Sequence, residues 1–200
     1  MTPRQTTEQV RDRILEAAGK RFREFGYDKT TCAEIAEDCG MSAANLYRYF
    51  ENKYAIGAAW VGRYFAAKES VLRRVVDRQD LDASGRIEAF VLENLRLTHS
   101  QWLSAPRAND LIEDVSRRRL DVVGRHMKAR RTLLVGIIEQ GNFSGEFDVP
   151  NPTRTADALL SATLLFDHPI YMGLFPLPVF EGKARDVCRV LLQGLRRPRK

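Results

Sequence analysis

The stretch Thr30-Thr31-Cys32-Ala33-Glu34-Ile35-Ala36-Glu37-Asp38-Cys39-Gly40-Met41-Ser42, followed by Leu46-Tyr47-Arg48-Tyr49-Phe50-Glu51-Asn52-Lys53, decides how the rest of the chain is read. Thr31 with Glu34 three residues on forms a capping box, Ile35 and Ala36 supply the apolar positions of a short helix, and Gly40 closes it. Ser42 then caps a further helix beginning at Ala43. Two short helices joined by a tight Gly40-Met41-Ser42 turn have the spacing of a helix-turn-helix, whose second helix enters the DNA major groove. On that helix Ala43, Leu46 and Phe50 recur at three- and four-residue steps and should pack inward. Ala44, Asn45, Tyr47, Arg48 and Tyr49 are left facing out. Asn can bond adenine and Arg can bond guanine bidentately, while Tyr hydroxyls reach phosphate oxygens. Lys53, at the start of the next helix, combines a cation with exposed amides, both suited to a phosphate.

Working outward, Val10, Ile14, Ala17, Ala18, Phe22 and Phe25 mark a helix over about residues 7–25, stopped by Gly26. No stretch of five or more residues alternates in the manner of a half-buried strand, so the fold class is all-α. In order and spacing, the quoted string closely resembles the DNA-binding signature of tetracycline-repressor (TetR) family regulators, over about residues 8–60. The resemblance implies a three-helix DNA-binding head on an all-α body, a homodimer on a palindromic operator, and repression relieved by a small ligand. It places Thr31 at the helix cap near phosphate, Ser42 to Asn45 in the groove-entering turn, and Tyr47 and Tyr49 against the DNA backbone. Lys53 matches the lysine opening the fourth helix, Gly26 and Gly40 match turn glycines, and Leu46 and Phe50 match core positions. Many members carry Lys where this chain has Ala43, which removes one phosphate contact and leaves other residues to anchor the register.

The chain has 200 residues, 44% of them apolar, with 32 Lys+Arg against 26 Asp+Glu. That is enough apolar material to rule out wholesale disorder, and too mild a basic excess to coat DNA by charge alone. Residues 1–60 hold nine basic and nine acidic side chains, so the formal +6 lies outside the segment assigned to DNA. Three cysteines, Cys32, Cys39 and Cys188, without CxxC spacing suggest neither a disulfide framework nor a thiolate metal site. Cys32 and Cys39 read as small packing residues rather than a redox pair. No secretory segment opens the chain, and the longest near-apolar run, Ala158 to Phe166, is about half the ~18 residues a membrane span needs. The expectation is a cytoplasmic protein with no membrane partner.

The reading assigns residues 1–53 to the helix-turn-helix domain, a long connecting helix to 53–77, and residues 78–200 to a helical effector-binding and dimerisation domain. Leu81 to Gly85 interrupts the chain, residues 86–103 are helical, Pro106 opens another helix, and a periodic stretch runs from near Leu120 to Gly141. A loop follows through Pro152; helices over 153–174 and 183–195 close the chain, separated by Pro176, Pro178 and Gly182, before a tail expected to fray, Arg196 to Lys200. Pro169 is expected to kink the first of these two helices. Ala156, Leu159, Leu160, Thr163 and Leu164 form one stripe on it, and Ala158, Ser161, Ala162 and Leu165 a second. The last helix lines up Ala184, Val187, Leu191 and Leu195. A helix apolar nearly all round must be covered on both sides, so Ala158, Ser161, Ala162, Leu165, Val187, Leu191 and Leu195 are candidates for a four-helix dimer interface, as the resemblance also implies.

No HExxH, GxSxG or GxxxxGK[ST] arrangement occurs, His99, His126 and His168 are widely separated, and no metal site, cofactor or catalytic residue is expected. In the middle helices, Asn94 and Thr98 interrupt the stripe Ile87, Val91, Leu95, Trp102, and Arg130 interrupts Val123, Met127, Leu134, Ile137. A buried guanidinium must meet a carboxylate or an anionic ligand, or reach solvent. One reading pairs Arg130 with Asp110, Glu113 or Asp114. The other is an effector cavity lined by Phe90, Asn94, Thr98, Trp102, His126 and Arg130, taking a mostly apolar molecule with one acidic or acceptor group. The run Arg117, Arg118, Arg119 with Arg125, Lys128 and Arg131 has the look of a nucleic-acid patch, but if one helix runs through it Arg117, Arg118, Arg125, Lys128 and Arg131 share an exposed arc and read as a solvated face. The functional expectation is a DNA-binding transcriptional repressor, homodimeric on double-stranded operator DNA and released by an unidentified small effector. An architectural or partner-controlled DNA-binding factor is the alternative, and an all-α enzyme or carrier a third.

Overall fold

Capping chemistry and apolar periodicity between them account for most helix boundaries. In the computed structural model, which describes residues 6–195, the helices are α1 (Thr7–Glu24), α2 (Cys32–Asp38), α3 (Ala43–Leu46), α4 (Lys53–Val76), α5 (Ala83–Ser104), α6 (Asn109–Arg118), α7 (Leu120–Phe143), α8 (Pro152–Ala162) and α9 (Leu177–Gln193). Short 3₁₀ turns lie at Pro106–Ala108, Leu164–Phe166 and Pro169–Tyr171, and no strand occurs among the described residues. The basic tail from Arg196 onward lies outside them.

The chain divides into two compact units. The first is the chain up to Phe65 with Leu103–Val123, and the second is Ala66–Trp102 with Gly124 onward. This differs from a division into residues 1–53 and 78–200, because Leu111, Ile112 and Val115 of α6 bury their side chains in one core with Ile14, Phe22, Ile35, Leu46, Ile56 and Trp60. Arg107 also donates to the Glu24 carbonyl at the end of α1. In the second unit Ile87, Phe90 and Leu95 of α5, Leu134, Ile137 and Ile138 of α7, Leu159 and Leu160 of α8, and Phe180 and Ala184 of α9 form a separate core around Leu72 and Phe166. Gly141 is required there, because a Cβ would overlap the Phe147 ring.

Four boundaries depart from the sequence reading, each for a local reason. Helix α5 begins at Ala83, inside the expected interruption. The Asp82 carboxylate accepts from Gly85 N–H at 2.7 Å, and Glu146 accepts from the amides of Ala83 and Ser84 at 2.8 and 2.9 Å. Those bonds satisfy the first-turn donors that would otherwise be orphaned. Helix α8 ends at Ala162 rather than running to 174, so Pro169 kinks no helix. The Thr163 hydroxyl bonds back to the Leu159 carbonyl at 2.7 Å, and the chain then winds into 3₁₀ turns. Helix α9 starts at Leu177, six residues early, since Pro178 in a first turn loses no hydrogen bond. The arginine run does not lie on one helix, because the chain breaks at Arg119, at φ −109° and ψ 70°.

Candidate nucleic-acid interface

Local chemistry builds the helix-turn-helix almost alone. The Thr31 hydroxyl accepts from Glu34 N–H at 3.2 Å, and the Glu34 carboxylate accepts from the Thr31 amide and hydroxyl at 2.7 and 2.8 Å. Those bonds and the Arg21 guanidinium hold the Glu34 carboxyl below its ordinary value. Arg21 also binds Asp38 through two bonds of 2.6 and 2.9 Å, tying both ends of α2 to α1. Gly40 turns the chain at φ +63°, a conformation that favours glycine, and lets Met41 N–H reach the Ala36 carbonyl at 3.0 Å. The Ser42 hydroxyl accepts from Asn45 N–H at 3.2 Å to start α3.

Leu46 and Phe50 are buried at 0% and 4% exposure, and they fix which face of α3 points away. Ser42, Ala44, Tyr47 and Arg48 are exposed, while Ala43, Asn45 and Tyr49 are half-buried. Regular helix ends at Leu46, and the turns that carry Tyr47 to Tyr49 are held by Tyr49 N–H and Phe50 N–H on the Leu46 carbonyl at 2.9 and 3.2 Å. Arg11 of α1 donates to the Tyr49 carbonyl and lies 4.1 Å over the Phe50 ring. Sequence reasoning missed this brace, whose signal is a cation one turn from Ile14 on the buried side of α1.

Two candidate phosphate ligands are already engaged. The Thr31 hydroxyl is committed to Glu34, and the Lys53 ammonium donates to the carbonyls of Tyr27 and Asp28 at 3.0 and 3.4 Å and lies 4.4 Å over the Tyr27 ring. Asn52 caps α4 through Ala55 N–H at 2.8 Å. Cys32 and Cys39 are free, buried thiols, and burial pushes the Cys39 thiol up. A hydrogen bond to Cys32 raises the pKa of the Tyr47 phenol.

Charge does not distinguish this surface. The first unit holds fourteen basic and thirteen acidic residues, and four of the remaining cations are Arg196, Arg197, Arg199 and Lys200 in the tail. The arginine run is locally neutralised: Arg117 meets Glu113, Arg118 meets Asp114, Arg119 meets Asp121 and Arg131 meets Asp157.

The second unit has a buried polar cluster. Lys68 Nζ donates to the Thr98 hydroxyl at 2.8 Å and to the Asp167 carboxylate at 3.0 Å. Asn94 Nδ2 donates to the same carboxylate oxygen at 2.8 Å, and Arg130 Nη1 donates to the other. Burial alone would raise the Asp167 carboxyl, but Lys68 and Arg130 hold it well below the usual carboxylate range. Desolvation lowers the Lys68 ammonium. His126 Nδ1 lies 2.7 Å from Glu69 Oε1, while burial, aided by Arg130 and Lys68, pushes the imidazole down to about 3, so a neutral ring donates to Glu69. Burial raises the Glu69 carboxyl.

Of the six expected effector residues, Asn94, Thr98 and Arg130 therefore meet in one cluster, His126 turns to Glu69, Phe90 sits in the core, and the half-buried Trp102 ring lies 5.8 Å from that of His99 at a tilt of 49°. Arg130 pairs with none of Asp110, Glu113 or Asp114, and its acid is Asp167, 37 residues downstream. Lys68 was legible as a break in the stripe Val61, Phe65, Leu72, Val75. Asp167 stands in the sequence only as the residue that ends the apolar run Ala158 to Phe166. Of the expected dimer residues, Ala158, Ser161 and Ala162 are exposed on α8, whereas Leu165, Val187, Leu191 and Leu195 pack partly against the unit's own core. Val190 on α9 is 69% exposed. Among the described residues no His, Cys, Asp and Glu cluster could hold a metal, and no helix is long and apolar enough to cross a membrane.

Residues 14–60 match the family model for bacterial regulatory proteins of the tetR family, and residues 83–188 match that for tetracyclin repressor-like C-terminal domains. The chain is 26% identical over 162 residues to the HTH-type transcriptional regulator YvkB of Bacillus subtilis, covering 80% of this chain and 83% of that protein. Its fold matches a TetR-family transcriptional regulator from Pectobacterium atrosepticum at a TM-score of 0.74 and 20% identity, over 96% of this chain and 97% of the other. It also matches the transcriptional regulator FadR from Bacillus subtilis, solved in complex with stearoyl-CoA, at a TM-score of 0.64 and 17% identity, over 92% and 98% of the two chains.

Proposed function

The chain belongs to the TetR family of bacterial regulatory proteins and is a helix-turn-helix DNA-binding transcriptional regulator rather than an enzyme, and from that premise we propose that it is a homodimeric repressor released from a palindromic operator by a small, mostly apolar ligand. The observation that carries the DNA-binding face is the burial of Leu46 and Phe50, which turns Tyr47 and Arg48 to solvent with Asn45 and Tyr49 at the margin. Asn45 and Arg48 have the chemistry for base edges, and Tyr47 and Tyr49 for phosphates. Ser42, Ala43 and Ala44 carry the backbone into the groove, while Thr31 and Lys53 position the helices and bring helix-start amides near the DNA backbone. A neutral head reading so few phosphates should show a modest salt slope.

Dimerisation is assigned to α8 and α9 through Ala158, Ser161, Ala162, Leu165, Val187, Leu191 and Leu195. Recognition helices in successive major grooves must stand about 34–36 Å apart, and an effector acts by favouring another separation, limited by its differential affinity for the two states. The effector site is assigned to the second unit around Phe90, Asn94, Thr98, Trp102, His126 and Arg130. FadR, which shares the fold, binds stearoyl-CoA, a molecule with a long apolar chain.

One observation favours a second reading, DNA binding without a small effector: Asp167 already supplies an acid to Arg130. A mobility-shift assay on the promoter beside the protein's own gene, with and without candidate ligands, separates the two. Asn45→Ala with Tyr47→Ala should abolish specific binding and leave the dimer intact, since a lost bidentate base contact is worth about 1–3 kcal/mol and the lost phosphate contact loosens the register. Unchanged operator affinity would move the reading surface off α3.

A further inference from the structure

We propose that Asp167 occupies, from within the chain, the site of an effector carboxylate, so that an apolar acid replaces it on Arg130 and Lys68 and frees the segment between α8 and α9. This rests on the reading that the second unit binds an effector, and it names the chemistry and the switch. The donors come from three helices: Lys68 on α4, Asn94 on α5 and Arg130 on α7. The acceptor comes from a non-helical segment between two 3₁₀ turns. Fixed donors around a detachable acceptor form a preorganised anion cradle.

That cradle is incompletely used. Arg130 Nε and Asn94 Oδ1 are both buried, with no hydrogen-bond partner among the described residues, and their residues are 2% and 3% exposed. Asp167 reaches Arg130 through Nη1 alone, whereas a ligand carboxylate can take Nε together with a terminal nitrogen in the fork geometry guanidinium favours. Asn94 Oδ1 is left to accept from a donor elsewhere on the ligand. Such an unsatisfied pair is stabilised by any molecule that completes it.

Asp167 is also placed to leave. Its side chain is 14% exposed against 4% and 3% for Lys68 and Arg130, and Ile170 and Leu174 just downstream are 59% and 57% exposed. Phe166 precedes it, and the Met127 thioether lies 3.9 Å from the Arg130 guanidinium, so the body of the ligand meets apolar groups. Exchange of one carboxylate for the other keeps the buried charge constant while releasing residues 163–176, which join the two helices assigned to the dimer face. The acid can be a fatty or an aryl one.

The test uses the full chain, titrated with octanoate and 4-phenylbutyrate, each beside its primary amide. At least one acid should bind about tenfold or more tightly than its amide, because only the carboxylate makes charge-assisted bonds. The relative strength of the two acids identifies the apolar body. Asp167→Asn should bind that acid about tenfold more tightly still, its competitor having been removed, and acetate but not acetamide should restore the melting temperature this variant loses. If the variant folds poorly, its refolding yield in acetate against acetamide gives the same answer. Equal binding of acid and amide, or no acetate rescue, overturns the proposal. Acetate rescue with operator affinity untouched by either acid would keep the anion site and overturn the effector reading. Operator release by a neutral molecule, with acid and amide indistinguishable, would do the reverse.

Discussion

The α2–α3 head and the Asp167 cluster are both held by hydrogen bonds between charged and polar side chains, yet they are assembled on different scales. In the head the bonds that shape the backbone join residues three apart: Thr31 with Glu34, and Ser42 with Asn45. In the cluster they join residues 30 to 99 apart, Lys68 with Thr98 and with Asp167. The head is accordingly a local structure set on an apolar core, and losing one bond costs a cap. The cluster is a buried charge network, and losing one partner strands the others.

The largest expected effect follows from that difference. Arg130→Met removes one of two cations from Asp167 and leaves a buried carboxylate undercompensated, so unfolding free energy should fall by about 3–5 kcal/mol. Hydrogen exchange of α7 amides should quicken most. Stability within about 0.5 kcal/mol of wild type would place Arg130 among surface substitutions and dissolve the contrast.

Next in size is a change inside the head that touches no polar group. Leu46 is completely buried, and Leu46→Ala should cost about 2–5 kcal/mol through lost burial and the cavity it leaves. A chemical-denaturation midpoint checks it. A loss under 1 kcal/mol would mean that α3 is held mainly by its caps.

Acid should act on the second unit through His126. Its folded pKa is lowered to about 3, so between the ordinary histidine value of about 6.5 and that point the unfolded chain holds a proton that the folded one does not. Stability therefore falls as pH drops through that window, at a limiting slope of about 1.4 kcal/mol per pH unit. The raised Glu69 carboxyl opposes this just above the usual carboxylate range, and the depressed Asp167 carboxyl adds a further loss below it. His126→Gln, an uncharged ring replacement, should flatten the slope between pH 6.5 and 5 in melting experiments. The slope persisting in that variant would assign it elsewhere.

The same division of scale explains what could be read in advance. Thr31, Glu34, Gly40 and Ser42 state their roles within a few residues, so both caps and the glycine turn were legible, as were the buried positions Leu46 and Phe50. Arg130 announced that it needed an acid, but nothing near it in the chain says that the acid is Asp167, which ends an apolar run and reads as a boundary. Lys53 shows the converse limit. Its position matches a phosphate ligand, while its ammonium is spent on two carbonyls of the loop after α1 that only the folded chain brings close. The start of α5 is half such a case: Asp82 caps Gly85 from three residues away, but the amides of Ala83 and Ser84 are taken by Glu146 from 63 and 62 residues away.

The smallest effect is the sharpest test of locality. Thr31→Ala deletes the hydroxyl that accepts from Glu34 N–H and donates to the Glu34 carboxylate, while leaving that carboxylate free to accept from the residue 31 amide and to pair with Arg21. Loss of the cap should cost about 1 kcal/mol. Thr31→Ser keeps the hydroxyl and should cost little. If Thr31 only caps, operator affinity of the Ala variant should fall no further than its stability explains, and the Ser variant should restore both together. A Ser variant that restores stability but not affinity would mean that the threonine side chain meets the DNA directly. Because Glu34 already holds this hydroxyl at 2.8 Å, we expect the first outcome.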